Sequence, residues 1–329
     1  MGAPLAFFTP LSLDDASRLT QAQGLGPYSA VEPIAAGSVN SNFFVDTARG
    51  RRFLRIYEEQ LDDAGIAYEW ALLDHLRASG LPVPVVVPGV APGALRVDGK
   101  PTALFELVHG EESCQARVTT RRAEVVGETL AAVHVAGSAF GWRRRGRFGV
   151  EGLFERLDRP EVQARTELAA VSARLRATIA EAHARLGAAL PVSVVHGDMF
   201  RDNVLWEGDR VVAIIDWESA SEGVCVYDLA VTLHAWCYGA HFEWELARAL
   251  VRGYEGRRPL APEERAALRD AMRLSASRFA VTRITDFYLR AAAAAGGAMR
   301  ETRDYRRFVA RLDAVEALDA RALVARLCG

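Results

Sequence analysis

Three oxygen-bearing side chains could do chemistry together. Asp198 and Asn203 lie in the run His196-Gly197-Asp198-Met199-Phe200-Arg201-Asp202-Asn203, and Asp216 follows an apolar stretch ending in Ile214-Ile215. An acid on a loop and an amide just where a strand restarts can point to the same concave side. A carboxylate that ends a buried strand costs free energy unless something compensates, and a divalent cation does so well. On this reading Asn203 and Asp216 hold Mg2+, and Asp198 stays available to take a hydroxyl proton. Such a set suits phosphoryl transfer from ATP, which needs cations against the phosphate oxygens and an acceptor for the alcohol's proton.

An isolated Asp-x-x-x-x-Asn is a surface loop in nearly every protein, so the reading depends on companions elsewhere in the chain. The order of acid, amide five residues on and acid on the next hairpin is shared with protein kinases. The N-terminal part offers the remaining pieces. Gly37, Ser38, Asn40, Ser41 and Asn42 form a small polar loop between strands, where backbone N–H groups and small hydroxyls could meet phosphates; most such loops are only turns. Arg55 stands on the next strand where a kinase places its phosphate-binding cation, and Glu69, on the following helix, could pair with it. Glu106 and Leu107 stand where a hinge would offer backbone groups to adenine.

These residues need elements to position them. Up to about residue 107 the chain reads as short strands with one helix: Phe43 to Val45 and Phe53 to Tyr57 make a hairpin, a helix follows Asp62 and Asp63 and ends at Gly80, and Thr102 to Val108 form a further strand. From about Thr119 long Ala- and Arg-rich segments predict helices over 119–136, 161–187, 228–252, 262–290 and 304–324. One island interrupts them, with strands at Val192 to Val195, Asn203 to Trp206 and Val211 to Trp217. The fold class expected is therefore α+β, with a nucleotide-binding lobe over 1–107 and a helical lobe with the catalytic loop and substrate pocket over 108–329.

Composition narrows the function classes. The 329 residues are half apolar and carry a net charge of −2, enough for a large core and without the basic face a nucleic acid would need. Lys100 is the only lysine, so a cation in a site must be arginine, which forks onto phosphate and carboxylate but forms no Schiff base. Cys114, Cys225, Cys237 and Cys328 lack metal or redox spacing and read as ordinary thiols. The first residues lack the basic start of a secretory signal, and Ala291 to Met299 is too short to cross a bilayer. These features predict a cytoplasmic protein with a small-molecule partner, no nucleic acid and no membrane, acting as a monomer or homodimer.

The motifs resemble a known group. His196-Gly197-Asp198 with Asn203, Ile215-Asp216-Trp217 and Tyr227-Asp228-Leu229-Ala230 are similar to the aminoglycoside phosphotransferase and choline kinase superfamily, whose fold is bilobal and protein-kinase-like. Within it the chain most resembles the bacterial homoserine kinases of that fold, through Ile34 to Val45, Phe200 to Val204, Tyr227 to Cys237 and Ser277 to Asp286. The resemblance implies that Asp198 is the base, that Asn203 and Asp216 bind magnesium, that Arg55 touches the nucleotide phosphates and that Asp228 supports the catalytic loop. Capping of the helix beginning there is an equally good reason for Asp228. His196 reads as a structural residue of the loop, and His134 and His234 as helix packing residues. One departure is Glu218-Ser219-Ala220-Ser221-Glu222, where homoserine kinases of this kind carry aromatic and small residues.

Homoserine presents a carboxylate and an ammonium beside its hydroxyl, so its pocket should offer an Arg fork and an acid. Arg201, Arg278, Arg283, Glu218, Glu222 and Asp286 are the candidates, with Arg283 and Asp286 first. An aminoglycoside would want an acidic pocket and choline an aromatic cage, for which Trp217, Trp236, Tyr238 and Trp244 are available; a sugar is a further alternative, and a nucleotide-binding pseudokinase is the non-enzymatic one. A pseudokinase would be expected to lack at least one of Asp198, Asn203 and Asp216, and all are present.

Overall fold

The computed structural model of the protein describes residues 9–34, 39–58, 61–187, 189–289 and 304–329. Contacts divide the chain into two compact units, Met1–Glu111 with Val212–Glu218, and Glu112–Val211 with Ser219–Gly329. The expected α+β class holds, since the first unit is built on a sheet and the second is mainly helical.

In the first unit, helix α1 (Leu13–Ala22) precedes strands β1 (Tyr28–Pro33), β2 (Ser41–Thr47) and β3 (Gly50–Ile56). Helix α2 (Asp63–Ala78) and strands β4 (Arg96–Val97) and β5 (Lys100–Glu106) follow. The strands pair antiparallel in the order β1-β2-β3-β5-β4. Alternation along each strand sends Phe43, Val45, Leu54, Ile56 and Leu104 into one cluster with Leu19 of α1 and with Leu25, Val87, Leu95 and Val97. The same alternation turns Asn42 and Arg55 to the opposite face, where register sets Asn42 beside Arg55 and Arg55 beside Ala103. Helix α2 starts where expected because the Asp62 side chain accepts from the Gly65 N–H. The sequence reading passed over α1, although Ser12 caps it by accepting from the Asp15 N–H.

The second unit opens with α3 (Thr120–Gly137), α4 (Val150–Leu157), α5 (Pro160–Gln163) and α6 (Thr166–Leu186), then strand β6 (Val192–Val195). Strands β7 (Val204–Glu207) and β8 (Arg210–Ile214) flank the Gly208-Asp209 turn, and within β8 the chain passes into the first unit at Val212, to return at Ser219. Strand β9 (Ser221–Val224), unexpected from sequence, pairs antiparallel with β6. Helices α7 (Cys225–Trp236), α8 (Trp244–Arg257), α9 (Pro262–Arg283), α10 (Arg306–Glu316) and α11 (Ala320–Cys328) complete the unit.

Several long predicted helices are divided. The expected 228–252 helix is interrupted between Cys237 and Glu243, where Tyr238 and Phe242 form a bridge around Gly239. Pro160 begins the short α5 before α6, and Asp319, accepting from the Ala322 N–H, starts α11 as a separate helix. Past Arg283 the α9 backbone widens into a π turn over Ile284–Tyr288. Helices α3 and α8 cross with backbone contact: a Cβ on Gly127 would lie 1.9 Å from the Leu250 carbonyl oxygen, and one on Gly253 2.0 Å from that of Glu124. No helix among the described residues is long and apolar enough to cross a membrane.

Candidate active site

In the second unit the loop after β6 is pinned from below by one acid. Asp228, fully buried, accepts from the His196 N–H at 2.7 Å and the Gly197 N–H at 2.8 Å. Its Oδ2 also lies 3.2 Å from Nε2 of His134, whose Nδ1 is 2.7 Å from the Tyr254 hydroxyl. Burial alone would push His134 down, but Tyr254, Asp228 and Cys225 raise it well above the usual histidine range. Burial likewise works against the Asp228 anion, yet His134, His196 and the Gly197 amide hold its carboxyl below the ordinary value. Both shifts favour the charged forms of this buried His134–Asp228 pair. Helix α7 has no side-chain cap bond at Val224, and Asp228, in its first turn, gives its hydrogen bonds to the loop and to His134.

Above that anchor the chain turns sharply. Gly197 adopts φ +73°, a conformation costly for other residues. The Asp198 N–H meets His196 Nδ1 at 3.3 Å, and the Phe200 N–H meets the Asp198 carbonyl at 2.7 Å. Asn203 donates from Nδ2 to the Asp198 carbonyl at 2.7 Å and approaches its Oδ2 at 3.3 Å. Trp236 Nε1 donates to the Met199 carbonyl. Asp198 and Asn203 are therefore brought together, with the Asn203 amide nitrogen turned to the loop. From α9, Arg278 Nη1 stands 3.8 Å from Asp198 Oδ1.

In the first unit a second polar group surrounds Arg55. Its Nη1 lies 3.4 Å from Asp216 Oδ1 and 3.9 Å from Glu69 Oε1, and its Nε 3.4 Å from Asn42 Oδ1. Burial would lower the guanidinium's pKa, but the carboxylates of Asp216, Glu218 and Glu69 outweigh it and hold it above the usual arginine value. Tyr57 donates to Glu69 at 2.8 Å, which fixes the acid toward Arg55. Asp216 itself sits at φ +68°, a left-handed conformation that a non-glycine residue takes only where its surroundings enforce it. Glu218, buried, accepts from Asn40 Nδ2. Burial, reinforced by Asp216, pushes its carboxyl up to about 7.

The other residues proposed from sequence are distributed as follows. Gly37 and Ser38 lie outside the described residues. Asn40, Ser41 and Asn42 are buried; Asn40 Oδ1 takes the Glu58 N–H, and the Ser41 hydroxyl donates to Glu58. Their side chains are thus spent inside the unit, because Glu58, tied to Lys100, needs buried donors. Glu106 ends β5, exposed, with its N–H on the Val85 carbonyl, and Leu107 follows half-buried. Arg201 donates to the Gln115 side chain and the Ala235 carbonyl, away from the Asp198 carboxylate's arginine neighbour. Asp286 is engaged by Arg156 at 2.5 Å, and Arg283 stacks over Phe308. Glu222 pairs with Arg143. Sequence reasoning treated His134 as packing; its spacing on α3 carries no sign of Asp228, which is ninety-odd positions away and brought near only by folding.

The family model described as the phosphotransferase enzyme family matches residues 30–268. A homoserine kinase of Beijerinckia indica is 34% identical over 294 residues, covering 86% of this chain and 88% of that protein. One of Methylobacterium radiotolerans is 34% identical over 286 residues, with the same coverage of 86% and 88%. Among solved structures, an amicoumacin kinase in complex with AMP-PNP and Ca2+ superimposes with a TM-score of 0.70 at 13% identity, over 93% of this chain and 96% of that one. A choline/ethanolamine kinase family protein from Mesorhizobium loti gives 0.63 at 18% identity, over 96% and 99%. These neighbours share the protein-kinase-like fold.

Proposed function

We propose that this chain, which belongs to the phosphotransferase enzyme family, is an ATP-dependent kinase that phosphorylates the hydroxyl of L-homoserine to give O-phospho-L-homoserine, a step toward threonine. The observation that carries the reading is the anchored loop, in which buried Asp228, in contact with His134, accepts two amide bonds from the stretch leading into Asp198. The homoserine kinases at 34% identity over most of both chains supply the acceptor.

Asp198 is assigned as the base. It takes the hydroxyl proton as the acceptor oxygen bonds to the γ-phosphorus and the bond from that phosphorus to the ADP oxygen breaks. Arg55, kept charged by its acidic neighbours, is assigned to the nucleotide phosphates, with Glu69 orienting it. The polar loop from Gly37 to Asn42 is assigned to cover those phosphates through its backbone, and Glu106 and Leu107 to the adenine. Asn203 and Asp216 are assigned to magnesium. Magnesium is a hard cation that one or two protein oxygens would hold, with water and phosphate completing its shell. Bound there, magnesium would neutralise charge on the phosphate oxygens.

Glu218 and Glu222, the departure from the homoserine kinase pattern, are engaged by Asn40 and Arg143, so neither argues for a polycationic acceptor. The test is ATP consumption by the purified protein against homoserine, choline, aminoglycosides and simple sugars. Saturation by homoserine between micromolar and millimolar levels is expected; a flat response to homoserine beside turnover of another acceptor would replace this function.

A further inference from the structure

Arg278 sits on α9 with only 4% of its surface exposed, and its Nε has no hydrogen-bond partner among the described residues. Its guanidinium carbon lies over the rings of Phe148 and Phe279, 3.8 Å from each centroid. Such stacking occupies the faces of the fork and leaves its in-plane N–H groups as the polar resource. Burying a guanidinium with an unmade hydrogen bond is costly, and an orphaned buried donor beside a candidate catalytic acid calls for a partner such as a bound ligand. The nearest acid is Asp198, with 3.8 Å from Nη1 to Oδ1, beyond hydrogen-bond reach. Of the other acids on this side, Asp286 is already taken by Arg156 and Thr285. The fork is thus held beside the proposed base by aromatic contact, with a donor edge unspent.

Resting on the homoserine kinase reading, we infer that Arg278 is the residue that selects the acceptor, by binding its carboxylate while the acceptor hydroxyl lies at Asp198. A short aliphatic hydroxy amino acid carries both groups within one molecule and can reach both side chains. An amino alcohol without the carboxylate leaves the buried fork unpaired, so the site discriminates against it.

The experiment compares homoserine with 3-aminopropanol, which is homoserine without its carboxylate, in the wild-type protein, Arg278→Gln and Arg278→Lys. Removing one partner of a buried charged pair commonly weakens it by about 10²-fold or more. The wild type should prefer homoserine strongly. In Arg278→Gln, kcat/KM for homoserine should fall about 10²-fold, chiefly through KM, while that for 3-aminopropanol changes by less than about fivefold; Arg278→Lys should lie between. The ratio of the two kcat/KM values is independent of the folded fraction, so a poorly folding variant still reports. Equal losses on both acceptors would overturn the inference and make Arg278 a positioning residue for Asp198, leaving the homoserine reading intact. An unchanged preference in both variants would overturn it as well. Wild-type protein that ignores homoserine yet phosphorylates the amino alcohol would overturn both.

Discussion

Asp228→Asn isolates the loop anchor without changing volume. The carboxylate spends one oxygen on the Gly197 N–H and the other on the His196 N–H and His134. An amide can supply only one oxygen, so its better orientation keeps that oxygen toward His196 and His134 and turns its NH2 against the Gly197 N–H. One hydrogen bond to a charged acceptor is lost, worth about 1.5–3 kcal/mol, and the partly buried Gly197 donor is left unmade at up to about 1–3 kcal/mol. Loss of the ionic attraction to His134 adds to this, and about 3–5 kcal/mol is expected in all. At about 2–4 °C per kcal/mol for a domain of this size, the melting temperature should drop by roughly 10 °C. Release of the loop should also displace Asp198, and a misplacement of about 1 Å costs on the order of 10²-fold in rate. The assays are a thermal melt, kcat for homoserine by coupled ADP detection well below the transition, and ATP affinity. The ATP dissociation constant should stay within about threefold, because Arg55 and its neighbours are untouched. A variant that melts with the wild type and keeps its kcat would refute the assignment of Asp228 as the loop's support.

Asp198→Asn should lower kcat by about 10²–10⁴-fold with ATP affinity nearly intact, whereas Asp216→Ala should weaken nucleotide binding in its magnesium-dependent part; a reversed pattern in equilibrium binding and kinetics would exchange their roles. Glu218 gives a pH signature. Its folded value is raised from 4.5 to about 7, so the folded state keeps a proton that the unfolded chain releases. Its stabilising contribution is full below pH 4.5 and is lost as pH rises to about 7. Denaturant midpoints for Glu218→Gln should show a shallower decline over that window than wild type, and parallel curves would count against the buried, protonated glutamate. Gly127→Ala should destabilise by about 1–3 kcal/mol or more, since its methyl meets the Leu250 carbonyl; chemical denaturation at wild-type stability would mean the helices can part without cost.

Much of this was legible from residue order alone. Asp198, Asn203 and Asp216 could be picked out as candidates, because Asp216 ends an apolar run and Asp198 and Asn203 stand five apart on the loop before it. Alternation along β2 and β3 put Arg55 opposite the core face, and Asp62 announced α2. These signals act over a few residues, which is the range on which periodicity and capping operate. Helix breaks were harder. Cys237 to Glu243 is apolar enough to continue a helix, and only the bridge around Gly239 opposes it.

What folding alone decided is the set of partners. The segment Val212–Glu218 joins the sheet unit though the chain on either side belongs to the helical one; unit membership is fixed by contacts between positions far apart in sequence. The raised values of His134 beside Asp228 and of Glu218 against Asn40, and the stacking of Arg278 with an unspent N–H, likewise come from what folding packs around them. A side chain's charge state and free donors depend on how much water and which charges surround it, and residue order does not record either until the chain has closed around them.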